Sequence, residues 1–355
     1  MSDATPDAAD AVRRSAKAAA LLLLLAAAVV LVWYAIPILL LLFAGVLFGV
    51  LFAGMADLIR RHGRAPDGLA LAAAVLFVAA VLIAAGTLIG PRVAEQFSEF
   101  NRSLPETVRR LEDRVLAQPW ARPVFGESLS LSDVPEGMDL WSRAAGAAGR
   151  LLRALGAAAV VVFVGVFLAA DPRLYISGLL KLLPPQHRPR ARETLAILGH
   201  QLRWWLIGQF ASMAIAGVLM GLGLWLIGMP MALTLGVLLG LMEFVPYVGP
   251  WVAYVPIAAV SLSEGTGMFL WASALFLAVQ VLESYVILPL VLQKAVELPP
   301  ALTVAAVLLM GYTAGVPGAL VATPLLVVAV VLVQRWYVEG TLREPVRIPG
   351  QARAE

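Results

Sequence analysis

Apolar residues run along this chain in long blocks, and the polar positions fall between the blocks. A membrane-spanning helix needs about 20 predominantly apolar residues. Blocks of that kind cover residues 18–35, 38–58, 68–90, 149–170, 204–228 and 268–290. Pro37 separates the first two and predicts a tight hairpin there. Two further stretches, 230–260 and 300–334, are apolar but interrupted by Pro and Gly. Together these predict an all-α membrane protein with about eight membrane segments.

The polar intervals set an orientation, because Lys and Arg collect in short cytoplasmic loops. Arg13, Arg14 and Lys17 precede the first block, and Arg60, Arg61 and Arg64 follow the second. Segment 171–203 carries six Lys/Arg against two acids. All three fall on one side if the N-terminus is cytoplasmic, and the C-terminus then lies there too. Segment 91–148, with seven Arg against nine acids, is placed outside. Its stretch "LPETVRRLEDRVL" (104–116) reads as a helix with Pro105 in its first turn. Segment 171–203 reads as two short amphipathic helices around Pro184-Pro185, the second carrying the basic face, anchored at the lipid surface.

This predicts N-terminal spans over 1–90, an extracytoplasmic amphipathic segment over 91–148 and a fourth span over 149–170. A basic cytoplasmic segment over 171–203 follows, then a membrane core over 204–334 and a cytoplasmic tail over 335–355. The core is set apart by charge: between Trp204 and Gln334 stand only Glu243, Glu264, Glu283, Lys294 and Glu297. The N-terminal apolar block has no polar region and cleavage site after it, so it reads as an uncleaved first span.

Inside the core the two interrupted stretches resemble each other. At a shift of 69 residues Pro230 meets Pro299, and Ala232-Leu233-Thr234 meets Ala301-Leu302-Thr303. Gly249 meets Gly318, and Val252-Ala253 meets Val321-Ala322. Each stretch follows an apolar helix, so the repeating unit, 204–263 and 268–334, is a helix plus a broken element. The legs 231–244 and 251–263 are each about 20 Å long as helix, too short for a hydrocarbon core of about 30 Å. A re-entrant hairpin fits both, with tips at "PYVGP" and "GYTAGVPG" (311–318); a kinked spanning helix is the alternative. Opposed hairpins place Ser261–Gly267 outside and Lys294 inside.

Composition agrees: 61% hydrophobic, 14% charged, mean hydropathy +0.88. The chain has no Cys and three scattered His, which leaves no thiolate metal site and no disulfide. A net charge of +3 spread over loops does not point to nucleic acid.

Candidate chemistry sits at the breaks. Pro removes a backbone donor and frees a carbonyl, and free backbone groups at membrane depth are tolerated only where protein buries them or water reaches them. Paired broken elements in a repeat point to a transporter's solute site. A carboxyl near the bilayer centre costs on the order of 3 kcal/mol, so Glu243, beside Pro246, and Glu283 are not left facing lipid. Gln280 and Glu283 share a helix face, as do Gln209 and Ser212. The predicted pathway is lined by Gln209, Glu243, Gln280 and Glu283, with Pro246, Tyr247, Gly249 and Pro250 at the first tip and Gly315, Pro317 and Gly318 at the second. Structural hydrogen bonding between helices is the competing account of the two Glu. Trp33, Trp204, Trp205 and Trp336 are expected at interfaces, Trp251 at the hairpin tip. The GxxxG pairs at 45–49, 86–90, 217–221, 236–240 and 311–315 predict close helix packing. No phosphate-binding loop, HExxH or Ser–His pair occurs, so neither an ATP drive, an enzyme nor a cofactor is expected.

From Asp171 onward the chain resembles the autoinducer-2 exporter family of bacterial membrane proteins. The likeness lies in "DP" at 171–172, "LLP" at 182–184, "GQ" at 208–209, "VPYVGPWVAYVP" at 245–256, Gln280, Glu283, "LP" at 288–289 and "GVPGALVATP" at 315–324. Glu243 stands just before the motif and is not covered by it. The resemblance implies a multi-pass bacterial inner-membrane transporter that works as a homo-oligomer, a pentamer. It implies export of a small polar solute, such as the quorum-sensing signal autoinducer-2, by an elevator-type movement of a hairpin-bearing core. Some relatives are described as sodium–proton antiporters, so a sodium (or lithium)/proton antiporter is the alternative function. A non-transporting membrane scaffold is the third reading.

Overall fold

A computed structural model describes residues 6–63, 66–88, 91, 95, 156–287 and 298–344. Nearly all of the outside segment 91–148 and the Lys294 loop lie beyond these residues. The described residues are helical throughout, with no strand among them.

Two expected breaks are absent. Helix α1 runs from Pro6 to Gly63 as one element of 58 residues, about 87 Å long. The hairpin expected at Pro37 does not form. Pro costs a helix one hydrogen bond, but opening the helix in an apolar run would strand several carbonyls. Helices α2 (Asp67–Leu88) and α3 (Gly156–Ala170) follow. Helix α4 (Pro172–Lys181) leaves α3 at a bend of 87°. Asp171 makes that corner: its carboxylate caps α4 by accepting from the Leu174 amide at 3.1 Å, with Pro172 in the first turn. A short 3-10 turn, Pro185–His187, leads into α5 (Arg188–Leu226). Here the second difference appears. The expected basic amphipathic helix and the following span are one helix, because no Pro occurs between Pro189 and Pro230.

Helix α6 (Ala232–Met242) and α7 (Gly249–Glu264) follow, joined by the irregular Glu243–Val248. Then come α8 (Thr266–Leu282), a π-helical turn over Glu283–Ile287, and α9 (Pro300–Leu332), which continues as π-helix over Val333–Leu342. Among the described residues four helices are long and apolar enough to cross a membrane, and a fifth span results if the bent pair α3–α4 is one. Helix α6 and the stretch Asp67–Val81 are apolar but shorter.

Helix α5 is the hub. Its C-terminal half packs with α6, α7 and α8 in one apolar cluster built on Met220, Leu239, Ile257 and Phe276. Its middle packs with α1 and α9 through Trp205, Leu206, Leu47 and Val327. Trp205 is therefore a core residue, 3% exposed and edge-on to Phe244, rather than the interfacial residue expected. The GxxxG expectation holds at two crossings; Gly86 meets nothing within 4 Å, and Gly315 lies at a break in α9 rather than in a helix contact. A Cβ on Gly236 would lie 2.5 Å from Gly221 Cα, and one on Gly240 2.8 Å from the Met213 carbonyl oxygen. At the other crossing a Cβ on Gly45 would lie 2.5 Å from Val164, and one on Gly165 3.1 Å from the Gly49 nitrogen. Backbones this close gain van der Waals contact where lipid supplies no hydrophobic drive between helices.

Two polar clasps tie α5 to its neighbours. Arg203 on α5 pairs with Asp57 at 3.3 Å and donates to the Gly54 carbonyl at 2.9 Å, tying α5 to α1. At the C-terminus, buried Arg335 pairs with Glu193 of α5 and with Glu339. Arg190 of α5 donates to the Arg335 carbonyl and lies 5.7 Å over the Trp336 ring. The helix thus runs past residue 334, where the tail was expected to begin.

Gly236→Val should force the α5–α6 crossing apart and cost about 1–3 kcal/mol, the usual range for overpacking. Thermal unfolding in detergent reads this as a lower midpoint. Gly178→Ala, which meets nothing within 4 Å, should leave the midpoint unchanged or raised.

Candidate functional site

The break between α6 and α7 starts with backbone chemistry. Helix α6 tightens at its end: the Phe244 amide donates to Leu241 and the Val245 amide to Met242, at 3.2 and 3.0 Å. Tyr247, which would supply the donor for Glu243 in a continuing helix, turns left-handed instead, with φ 64°. A non-glycine residue there costs about 1–3 kcal/mol. The chain then reverses. A Cβ on Gly249 would lie 1.7 Å from the Met242 carbonyl oxygen, seven residues back, where a straight helix would separate them by about 10 Å. Only glycine fits, and Pro250 starts α7 where its missing donor is harmless.

The reversal orphans the Glu243 carbonyl, and Gln209 of α5 takes it up: its Nε2 donates at 2.6 Å. The Glu243 side chain points inward and is 2% exposed. It faces Glu283, which is 5% exposed. Ser212 of α5 donates its hydroxyl to Glu283 Oε1. Among the described residues no Lys or Arg forms an ion pair with either Glu. Glu243 Oε2 and Gln280 Oε1 are buried with no hydrogen-bond partner among the described residues. Glu283 opens the π-helical turn at the end of α8, and such turns are frequent at functional sites. Tyr247, half-exposed at the tip, lies within electrostatic range of Glu283.

The structure thus brings Gln209, Glu243 and Glu283 together, with Gln280 one turn before Glu283. Pro246, Tyr247, Gly249 and Pro250 form the adjoining tip. Ser212 belongs to the same group. Its spacing three residues from Gln209 was visible, but a hydroxyl in an apolar helix carries little signal by itself.

The second break lies within α9. Gly315 has φ 65° and ψ −153°, far from helical values. A Cβ on Gly318 would lie 2.2 Å from the Met310 carbonyl oxygen, eight residues back, against about 12 Å in a straight helix. Here too the chain doubles back. Gly318 is buried in the fold, whereas Gly315 and Pro317 are exposed at its tip. Met310 and Ala314 pack in the apolar cluster that holds Phe244 and Trp205. Among the described residues no side-chain hydrogen bond links this second tip to the carboxyl pair. Trp251 stands beside the first tip and packs on Tyr254 and Phe276 with ring centroids at 6.2 and 5.4 Å.

No group of three or more His, Cys, Asp or Glu able to hold a metal occurs among the described residues. Long apolar helices around a buried polar group, with two chain reversals beside it, are the architecture of a multi-pass membrane transport protein. The chain belongs to the AI-2E family of transporters, whose family model matches residues 21–338. It is 32% identical over 191 residues to "Putative transport protein MT0215" of Mycobacterium tuberculosis (strain CDC 1551 / Oshkosh), covering 52% of this chain and 51% of that one. It is 26% identical over 167 residues to "Putative transport protein YrrI" of Bacillus subtilis (strain 168), 47% of each chain. It is 24% identical over 251 residues to "Putative permease PerM" of Escherichia coli (strain K12), 69% of each. The match thus spans about half the length of the first two relatives. The family is one of transporters and not of enzymes, and with the membrane-spanning helices it makes this a multi-pass inner-membrane protein.

Removing one partner from a buried polar pair leaves the other unsatisfied, at about 1–3 kcal/mol. Glu243→Leu and Glu283→Leu should each lower the unfolding midpoint in detergent. The double variant should lose less than the sum of the two, by about 0.5–3 kcal/mol of coupling. Strict additivity would show that the two side chains do not interact.

Proposed function

We propose that this chain is a secondary exporter of a small polar organic solute, with autoinducer-2 as the candidate signal, coupled to proton movement through Glu243 and Glu283. One observation carries the reading: two buried carboxyl groups meet at a helix break with no basic side chain paired to them among the described residues. A proton or a small cation must then balance their charge. A structural pair would gain nothing from adjoining a strained reversal of the backbone, whereas a transport site uses such a reversal to expose backbone dipoles to a solute. The same observation favours a second reading, a sodium (or lithium)/proton antiporter, in which the pair alternates between the two cations. It argues against a membrane scaffold, which needs no uncompensated charge in its core.

The two reversals support reading α6–α7 and the halves of α9 as re-entrant hairpins in an internal repeat. Gly249 and Gly318, aligned at a shift of 69 residues, each sit where the returning leg crosses a carbonyl seven or eight residues back. Thr234 and Thr303, aligned likewise, are both buried. In this proposal both termini are cytoplasmic, the hairpin-bearing core over 204–334 moves in an elevator-like manner, and α1–α3 form the contacts of a homo-oligomer, a pentamer by family resemblance. Pro246, Tyr247, Gly249 and Pro250 line one end of the solute path, and Gly315, Pro317 and Gly318 the other, with Gln209 and Gln280 between.

Flux into proteoliposomes, with and without pH and sodium gradients, separates the readings. Solute movement driven by a pH gradient supports the exporter. Sodium-for-proton exchange without solute supports the antiporter, and no flux supports the scaffold. Glu243→Gln should preserve folding, because Gln keeps shape and most hydrogen bonding, and should abolish the pH dependence of transport between pH 6 and 8. Glu283→Gln should weaken transport less. A Glu243→Gln variant with the parent's rate and pH profile would make the residue structural.

The hairpin topology has its own test. The chain lacks Cys, so Ser263→Cys introduces a single thiol. It should react with an impermeant maleimide from outside intact cells. Labelling only from the cytoplasmic side would rule out opposed hairpins.

A further inference from the structure

Helix α4 is set apart from the bundle in a particular way. It leaves the end of α3 at 87°, and since α3 is apolar along its length, α4 lies across the span direction. Its two faces differ. Arg173, Ser177 and Lys181 recur every four residues and so share one face. Tyr175, Ile176 and Leu179, with Leu182 just beyond, occupy the other. Leu180, at the edge of the apolar face, is buried against the protein body, while Leu179 and Leu182 are 50% and 81% exposed. Water would face this apolar surface if α4 stood free of the bilayer. The basic side chains are unengaged as well: among the described residues Arg173 and Lys181 form no ion pair. The acid beside them, Asp171, is committed to capping the helix.

We infer that α4 is an interfacial helix that binds anionic phospholipid headgroups of the leaflet at which α3 ends. Its apolar face, Tyr175, Ile176, Leu179 and Leu182, sits at the headgroup–acyl boundary, about 5–10 Å deep as amphipathic helices do. Arg173 and Lys181 then stand in the headgroup layer and pair with phosphates. Charge complementarity and continuity with a spanning helix select lipid as the occupant. The corner is held on both sides: Asp171 fixes its start, and Arg188 donates Nε to the Leu183 carbonyl at 3.1 Å, fixing the turn into α5. A leaflet that holds α4 therefore also holds the start of α5, the helix that carries Gln209 and Ser212. The inference rests on the chain lying in a bilayer and not on the proposed solute or coupling ion, so the two fail separately.

The test uses the full chain. Thermal unfolding in detergent is followed while phosphatidylglycerol or phosphatidylcholine is titrated in. Phosphatidylglycerol should raise the midpoint and phosphatidylcholine should not. A basic residue near an anionic surface contributes about 1 kcal/mol, roughly fivefold in affinity. The phosphatidylglycerol concentration giving half the shift should rise roughly fivefold in Arg173→Gln, likewise in Lys181→Gln, and further in the double variant. In liposomes, a fluorophore on Leu179→Cys should be quenched by lipids carrying a nitroxide near the headgroup, and one on Ser177→Cys by aqueous iodide. Equal stabilisation by the two lipids, or an unchanged titration in the double variant, overturns the inference. So does disulfide crosslinking of Leu179→Cys between copies, which would make the apolar face a subunit contact.

Discussion

A carbonyl that loses its helical donor inside an apolar protein must be given another, and much of this structure answers that requirement at one atom. The orphan is the main-chain oxygen of Glu243, and Gln209 of α5 supplies the donor. For that amide to reach, α5 and α6 must touch almost backbone to backbone. The glycines at 217, 221, 236 and 240 permit the approach. Once the helix end is fixed there, the Glu243 side chain has one direction to go, inward to Glu283. Backbone satisfaction thus decides where the acid lies.

The polar group so assembled is only half closed. Ser212 satisfies one oxygen of Glu283, whereas a side-chain oxygen of Glu243 and one of Gln280 lack partners among the described residues. Buried polar atoms are nearly always paired, so an unpaired acceptor beside a strained turn calls for a donor. A proton, a hydrated cation or a hydroxyl-bearing solute each provides one. The apolar side of the second reversal, Met310 and Ala314, backs the same region through Phe244. Movement at either reversal would therefore be felt at the carboxyl pair through packing, without a polar link between them.

Much of this was legible in the sequence. The apolar blocks predicted helices, the breaks at "PYVGP" and "GVPG" marked both reversals, and Glu243 and Glu283 stood out as acids among apolar neighbours. Their meeting was not legible, because residues 40 positions apart on different helices leave no local trace. Ser212 escaped for a similar reason: its role depends on what faces it. Pro37 misled in the opposite direction. Proline is a strong local signal, yet within a long apolar helix the loss of one hydrogen bond is smaller than the cost of exposing the neighbouring backbone. The same imbalance fused the basic segment to the span behind it, since nothing between Arg190 and Leu226 obliges the helix to stop.

That fusion makes α5 a single rod of 39 residues, about 58 Å long. One end is gripped by the C-terminal clasp through Arg190 and Glu193, and the middle holds Gln209 and Ser212. A stiff rod behaves as a pointer: a turn of about two degrees at the clasp moves a site 30 Å along it by about 1 Å. An ångström is the difference between a hydrogen bond made and one broken. The ionic grip at the clasp therefore bears on the aim of the polar site some 30 Å away, roughly twenty residues of helical rise. Salt or charge changes at that distant end would retune the site without touching any residue in it.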